Sequence, residues 1–232
     1  MKFQAIFFDI DNTLLSFDEY VRHTMEEGFS YFGLKPYEPW MFDAFTRVNN
    51  GLWRRIEEGS LSFEELTKIR WNQVFEVLGI AFDGPTFEKY FRGALNESAI
   101  PEPGALELLT SLKGKYLLYA ASNGPYGQQV HRLQIAGMYE IFDDVFISEK
   151  VGVAKPAKAF FDYAFAKINT GRNVPLMPEE CLMVGDSLTS DIAGGLAYGM
   201  KTCLYLRGRK LDVPEGVLTV DSLEQLQKLG ER

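Results

Sequence analysis

The sequence predicts an α/β protein: a Rossmann-like, doubly wound parallel sheet with an inserted all-helical domain. Three observations predict it. Short, nearly continuous apolar runs recur along the chain, and helical patterns separate most of them. One block of about 80 residues, rich in helix formers and aromatics, shows no strand pattern.

Residues 3–8 form the first apolar run, which ends in Asp9 and fits a strand buried on both faces. The helical block follows. Its spacing predicts helices near 18–32, 39–57, 62–78 and 85–95, with Gly33, Gly59 and Gly79 where helices should stop. Ser62-Phe-Glu-Glu65 reads as a capping box. Pro101-Glu-Pro103-Gly104 marks the return to the sheet. Later strands are expected at 116–121, 145–147, 181–184 and 202–206, with a sixth at 217–220. Helices are expected at 104–112, 128–136, 157–168 and 191–198. Residues 1–16 and 97–232 therefore make the sheet domain, and 17–96 the helical one.

Composition narrows the function. The chain has 232 residues, 46% of them apolar, enough to bury a useful core. Its net charge of −8 and the lack of a dense basic stripe argue against a nucleic acid polymer as partner. Arg207-Gly208-Arg209-Lys210 reads as a solvated loop. Cys181 and Cys203 sit inside apolar runs and read as core thiols, which favours the cytoplasm. The run at 3–8 is too short for a signal peptide, and no apolar stretch is long enough to span a bilayer, so no membrane is expected.

Ligands of open parallel sheets bind at the carboxyl ends of the strands. Asp9, Asp11 and Thr13 follow the first strand, and Ser122, Asn123 and Gly124 the second. Lys155 precedes a helix. Gly185, Asp186, Ser187 and Asp191 follow the strand at 181–184. Carboxylates, a hydroxyl and a lysine on one edge suit phosphoryl transfer. One carboxylate can attack phosphorus, and a second can move the proton. A Mg²⁺ ion held by hard oxygens can offset the like charges.

Phe8-Asp9-Ile10-Asp11-Asn12-Thr13 resembles the first motif of the haloacid dehalogenase (HAD) phosphatases. Ser122 matches their second motif, Lys155 the third, and Gly185-Asp186-Ser187 with Asp191 the fourth. The helical insert sits where the type-one cap of that superfamily belongs. The resemblance implies Asp9 as nucleophile and magnesium ligand, and Asp11 as general acid/base with a metal-binding carbonyl. It also implies Asp186 as a direct ligand and Asp191 as a support of the metal. Ser122, Asn123 and Lys155 would hold the phosphoryl group, and Thr13 would orient the loop. The acid at Asp11 separates the chain from the dehalogenase branch.

A finer resemblance is to the pyrimidine 5′-nucleotidase branch. It rests on Asn49-Asn50-Gly51-Leu52-Trp53, Glu57-Glu58-Gly59, Ser122-Asn123-Gly124 and Gly185-Asp186-Ser187-Leu188-Thr189-Ser190-Asp191-Ile192. It implies a nucleoside monophosphate as the small phosphorylated substrate, with Asn49, Trp53 and Arg54 near the leaving group.

Rival readings are a sugar-phosphate phosphatase, a β-phosphoglucomutase-like phosphomutase and a non-catalytic phosphate-binding protein. Asp9 and Asp11 do not open an EF-hand loop, because Leu14 and Tyr20 stand where Gly and Glu are needed. Ala120-Ala121-Ser122-Asn123-Gly124 approaches a nucleophile elbow, but the chain lacks a late histidine to serve it. Taken alone, Lys155 reads as a surface residue, Trp53 as core, and Asn49 and Arg54 as solvated.

Overall fold

The computed structural model describes residues 3–230. Residues 1–2 and 231–232, which the sequence assigns to the sheet domain, lie outside the described residues. The chain divides into two units. One runs up to Ser16 and resumes at Ala99, and the other is Phe17–Ser98.

The first unit opens with β1 (Ala5–Phe8). Four helices make the second: α1 (Phe17–Tyr31), α2 (Trp40–Glu57), α3 (Phe63–Leu78) and α4 (Gly84–Asn96). The first unit then continues with α5 (Ala105–Leu112), β2 (Leu117–Ser122), α6 (Tyr126–Ile135), β3 (Asp144–Ile147) and α7 (Ser148–Val151). It ends with α8 (Lys158–Asn169), β4 (Cys181–Gly185), α9 (Ala193–Tyr198), β5 (Lys201–Tyr205), β6 (Leu218–Val220) and α10 (Leu223–Gly230).

All six strands are parallel, in the order β3-β2-β1-β4-β5-β6. The apolar runs have a direct cause. Ile6 and Phe8 join the core on one sheet face, with Leu108, Leu109 and Leu133. Ala5 and Phe7 join the core on the other, with Phe160, Phe161 and Phe165. A strand covered on both sides must be apolar at every position. Since β1 lies between β2 and β4, its end adjoins both of their ends.

The strand order reverses on either side of β1, which is where ligands of such sheets bind. Two glycines let α9 pack closely. A Cβ on Gly195 would lie 2.8 Å from Thr202 and 3.1 Å from Met183, and one on Gly194 2.9 Å from Phe161.

In the helical unit, Phe29, Phe45, Trp71, Phe75, Phe87 and Phe91 are buried, with ring centroids 4.3 Å apart for Trp71 and Phe87. Ser62 caps α3 by the predicted box: its hydroxyl accepts from the Glu65 amide, and Glu65 accepts from the Ser62 amide. Gly79 closes α3 at φ 63°. Arg70 and Glu88 form a buried fork, with hydrogen bonds of 3.0 and 2.6 Å.

The sequence missed α7, α10 and a turn of π-helix, Leu188–Ile192, ahead of α9. The helix expected at 191–198 therefore begins at Ala193.

Candidate active site

The loop after β1 presents two carboxylates. The Asp9 amide continues the ladder, donating to the Val184 carbonyl at 2.9 Å. The amides of Leu14 and Leu15 then turn back on the Ile10 carbonyl, at 2.8 and 2.9 Å. Asn12 takes φ 59°, a left-handed conformation that Asn tolerates better than most residues. Asp9 is buried, while the Asp11 side chain keeps 30% of its surface exposed.

Lys155 is buried, and three acceptors surround its ammonium. Nζ donates to Asp9 Oδ1 at 2.9 Å, Asp191 Oδ1 at 2.6 Å and the Ala121 carbonyl at 2.5 Å. An ammonium has three hydrogens, so all are engaged. Lys155 therefore neutralises carboxylates here. Asn123 holds the lysine's main chain: its Nδ2 donates to the Lys155 carbonyl at 3.0 Å, and its Oδ1 accepts from the Lys155 amide at 2.8 Å. Both ends of the Asn123 side-chain amide thus place the lysine.

One carboxylate oxygen from each of Asp9, Asp186 and Asp191 falls within 4.8 Å of the others. Asp191 comes from the π turn, and the Ser187 amide donates to its Oδ2 at 3.1 Å. Gly185 makes room for it, because a Cβ there would lie 2.1 Å from Asp191 Oδ2. Asp186 meets Arg209, whose Nη2 lies 3.2 Å from Asp186 Oδ2 and donates to the Asp186 carbonyl at 2.8 Å. The loop expected to be solvated thus sends one arginine into the site.

Three carboxylates face two cations, which leaves one negative charge unbalanced if all three ionise. The acidities reflect this. Burial pushes the Asp9 carboxyl up to about 7, against the pull of Lys155 and with the charge of Asp191 adding to the rise. Burial also raises Asp186 well above the usual carboxylate range, with Arg209 opposing. Burial works against the charge on Lys155, but Asp191 and Asp9 outweigh it and hold the ammonium above the ordinary lysine range. An all-oxygen donor set with surplus negative charge fits a hard divalent cation.

Ser122 ends β2, and its hydroxyl accepts from Gln129 at 3.0 Å. Thr13 is fully buried; its amide donates to the Ile10 carbonyl at 3.3 Å, and its hydroxyl has no partner among the described residues. Gln129, Arg132 and Arg209 were not read from the sequence as site residues. An i, i+3 pair of polar residues on a helix gives the same signal as a solvated face.

Asn49, Trp53 and Arg54 lie in the helical unit. Asn49 is buried and its Oδ1 accepts from Arg70 at 3.1 Å, contrary to the solvated reading. Trp53 is half-buried, 5.9 Å from the Phe63 ring centre, and Arg54 is exposed. Among the described residues, no helix is long and apolar enough to cross a membrane.

A family profile described as haloacid dehalogenase-like hydrolase matches residues 3–199. The pyrimidine 5′-nucleotidase YjjG of Escherichia coli is 34% identical over 233 residues, covering 99% of this chain and 98% of that protein. The pyrimidine 5′-nucleotidase PynA of Streptococcus pneumoniae is 34% identical over 211 residues, covering 88% and 84%. Among solved structures, the HAD-hydrolase YfnB of Bacillus subtilis bound to magnesium matches with a TM-score of 0.89 and 30% identity, over the full length of both chains.

Proposed function

We propose that this chain, which belongs to the haloacid dehalogenase-like hydrolase family, is a magnesium-dependent phosphatase of nucleoside 5′-monophosphates, with pyrimidine nucleotides as preferred substrates. The observation that carries the chemistry is the meeting of Asp9, Asp186 and Asp191 around a buried lysine at the strand ends. Support for the substrate comes from the two pyrimidine 5′-nucleotidases that resemble the chain along most of its length. Magnesium is supported by the all-carboxylate donor set and by the metal bound in the YfnB structure. Two buried, unpaired thiols suit a reducing, cytoplasmic compartment.

The reaction has two steps. An Asp9 carboxylate oxygen attacks phosphorus, the bond from phosphorus to the ester oxygen breaks, and Asp11 gives that oxygen its proton. Water then attacks the aspartyl-phosphate, Asp11 takes the water's proton, and the bond to Asp9 breaks to release phosphate. Asp9, Asp186 and the Asp11 carbonyl would hold Mg²⁺, with Asp191 supporting from behind. When bound, the ion would supply positive charge to the phosphoryl oxygens. Lys155 favours the ionised, nucleophilic form of Asp9 against the rise that burial causes. The Ser122 hydroxyl donates to a phosphoryl oxygen.

A phosphate-release screen tests the proposal, run over UMP, dTMP, purine monophosphates and sugar phosphates, with Mg²⁺ or with EDTA. Pyrimidine nucleotides are expected to lead in kcat/KM by about tenfold or more, and EDTA to abolish release. Sugar phosphates leading by that margin would overturn the substrate. Undiminished release in EDTA would overturn the metal.

A further inference from the structure

Gln129 and Arg132 stand one turn apart on α6, 2% and 1% exposed. Arg132 Nη1 donates to Asp11 Oδ1 at 2.7 Å and to Gln129 Oε1 at 2.8 Å. A guanidinium can only donate, so the end of the Gln129 amide that meets it must be the oxygen. The amide nitrogen therefore faces the other way. It donates to Asp11 Oδ2 at 2.7 Å and to Ser122 Oγ at 3.0 Å. Both oxygens of Asp11 are thus engaged. Ser122 acts as an acceptor inside the protein, and among the described residues its own proton reaches only the Asn123 carbonyl, at 3.5 Å, the outer limit of a hydrogen bond.

We propose that Arg132 and Gln129 are positioning residues that fix the Asp11 carboxylate and turn the Ser122 hydroxyl outward as a donor. The arrangement rests on Asp11 and Ser122 acting as described above. Several features separate it from ordinary packing. Burying an arginine carries a desolvation cost, and an apolar side chain would fill the same face of α6 without it. The guanidinium instead reaches a residue 121 positions away, on a loop, whose side chain keeps 30% of its surface exposed. One donor-only group then sets the polarity of every bond in the chain from Arg132 through Gln129 to Ser122 and Asp11. An acid/base group must stand within hydrogen-bonding reach of the proton it moves, and a loop carboxylate held at both oxygens has one orientation.

The consequence falls on the second chemical step, where the Asp11 carboxylate takes a proton from the attacking water. p-Nitrophenyl phosphate isolates that step, because p-nitrophenolate leaves without needing a proton. With this substrate and Mg²⁺, Arg132→Met is expected to lower kcat by about tenfold or more, with KM falling alongside it so that kcat/KM changes by less than about threefold. Radiolabelled phosphate trapped on the protein by acid quench should rise as kcat falls. Arg132→Lys, which keeps a donor toward Asp11, should recover part of the rate.

Gln129→Met leaves the Arg132–Asp11 pair in place and carries the test if Arg132→Met does not fold. It should lower kcat and also kcat/KM, since Ser122 loses its orienting partner. Folded variants with kcat within about twofold of the wild type would overturn the proposal. A loss of rate with no rise in trapped phosphate and no recovery by lysine would also overturn it, as that is the behaviour of a purely structural residue. If the unmutated protein never yields trapped phosphate and Asp11→Asn turns over normally, the proposed function itself falls.

Discussion

Lys155 is where the charge balance of the site is most exposed to test. Its ammonium bridges Asp9 and Asp191 inside the protein, and removing one partner of a buried ion group leaves the others uncompensated. Lys155→Met is expected to abolish turnover and to destabilise the metal-free protein by about 3 kcal/mol. Added Mg²⁺ should restore part of that loss, because it supplies positive charge to the same carboxylates. Thermal melts with and without Mg²⁺ check this, and an unchanged midpoint in both would contradict it. The grouping of Asp9, Lys155, Asp186 and Asp191 was legible in the sequence because each stands just beyond a strand or before a helix, and together they match the motifs of one family although each alone reads as an ordinary turn or surface residue. Gln129 and Arg132 were not legible. Their partners lie 118 and 121 positions away, and nothing local on α6 marks them. Arg209 was hidden for a similar reason, since a basic residue in a polar loop looks solvated until the fold places Asp186 beside it.

At the scale of elements, the junction of β4 with the π turn is the tightest point of the site. Asp191 folds back against Gly185 so closely that a methyl group cannot fit. Gly185→Ala is expected to destabilise by about 1–3 kcal/mol and to push Asp191 off Lys155, weakening Mg²⁺ binding measured by calorimetry. Wild-type stability and affinity in that variant would contradict the close approach. In the helical unit, Arg70 joins α2, α3 and α4 by bonding Asn49 and Glu88. Arg70→Met leaves Glu88 buried without its cation and should cost about 3–5 kcal/mol, read from urea unfolding. A change under about 1 kcal/mol would show that the pair behaves as a surface bridge. The strands were legible because two covering layers force continuous apolar runs. The short α7 and the C-terminal α10 were not. The first has four residues, none of them buried, and α10 turns only Leu223 and Leu226 into the core among its described side chains. The π turn has no periodicity of its own to read, and what marks it is the buried Asp191 it delivers.

For the molecule as a whole, the sheet order is what makes chemistry out of scattered residues. Placing β1 between β2 and β4 brings Lys155 to Asp9 across 146 positions of chain, and sets Asp186 and Asp191 beside them. The alternation of strand and helix made that architecture legible, and the strand-end rule then said where to look. The identity of the leaving group was not legible in the same way, because the strand-end rule locates the site without distinguishing one phosphate ester from another. The central claim is that Asp9 attacks phosphorus, and Asp9→Asn tests it most directly, since it keeps the shape of the side chain and removes its nucleophilic charge. Phosphate release from UMP with saturating Mg²⁺ should fall by at least about a thousandfold in a variant that still melts cooperatively. Release within about tenfold of the unmutated protein would contradict the claim.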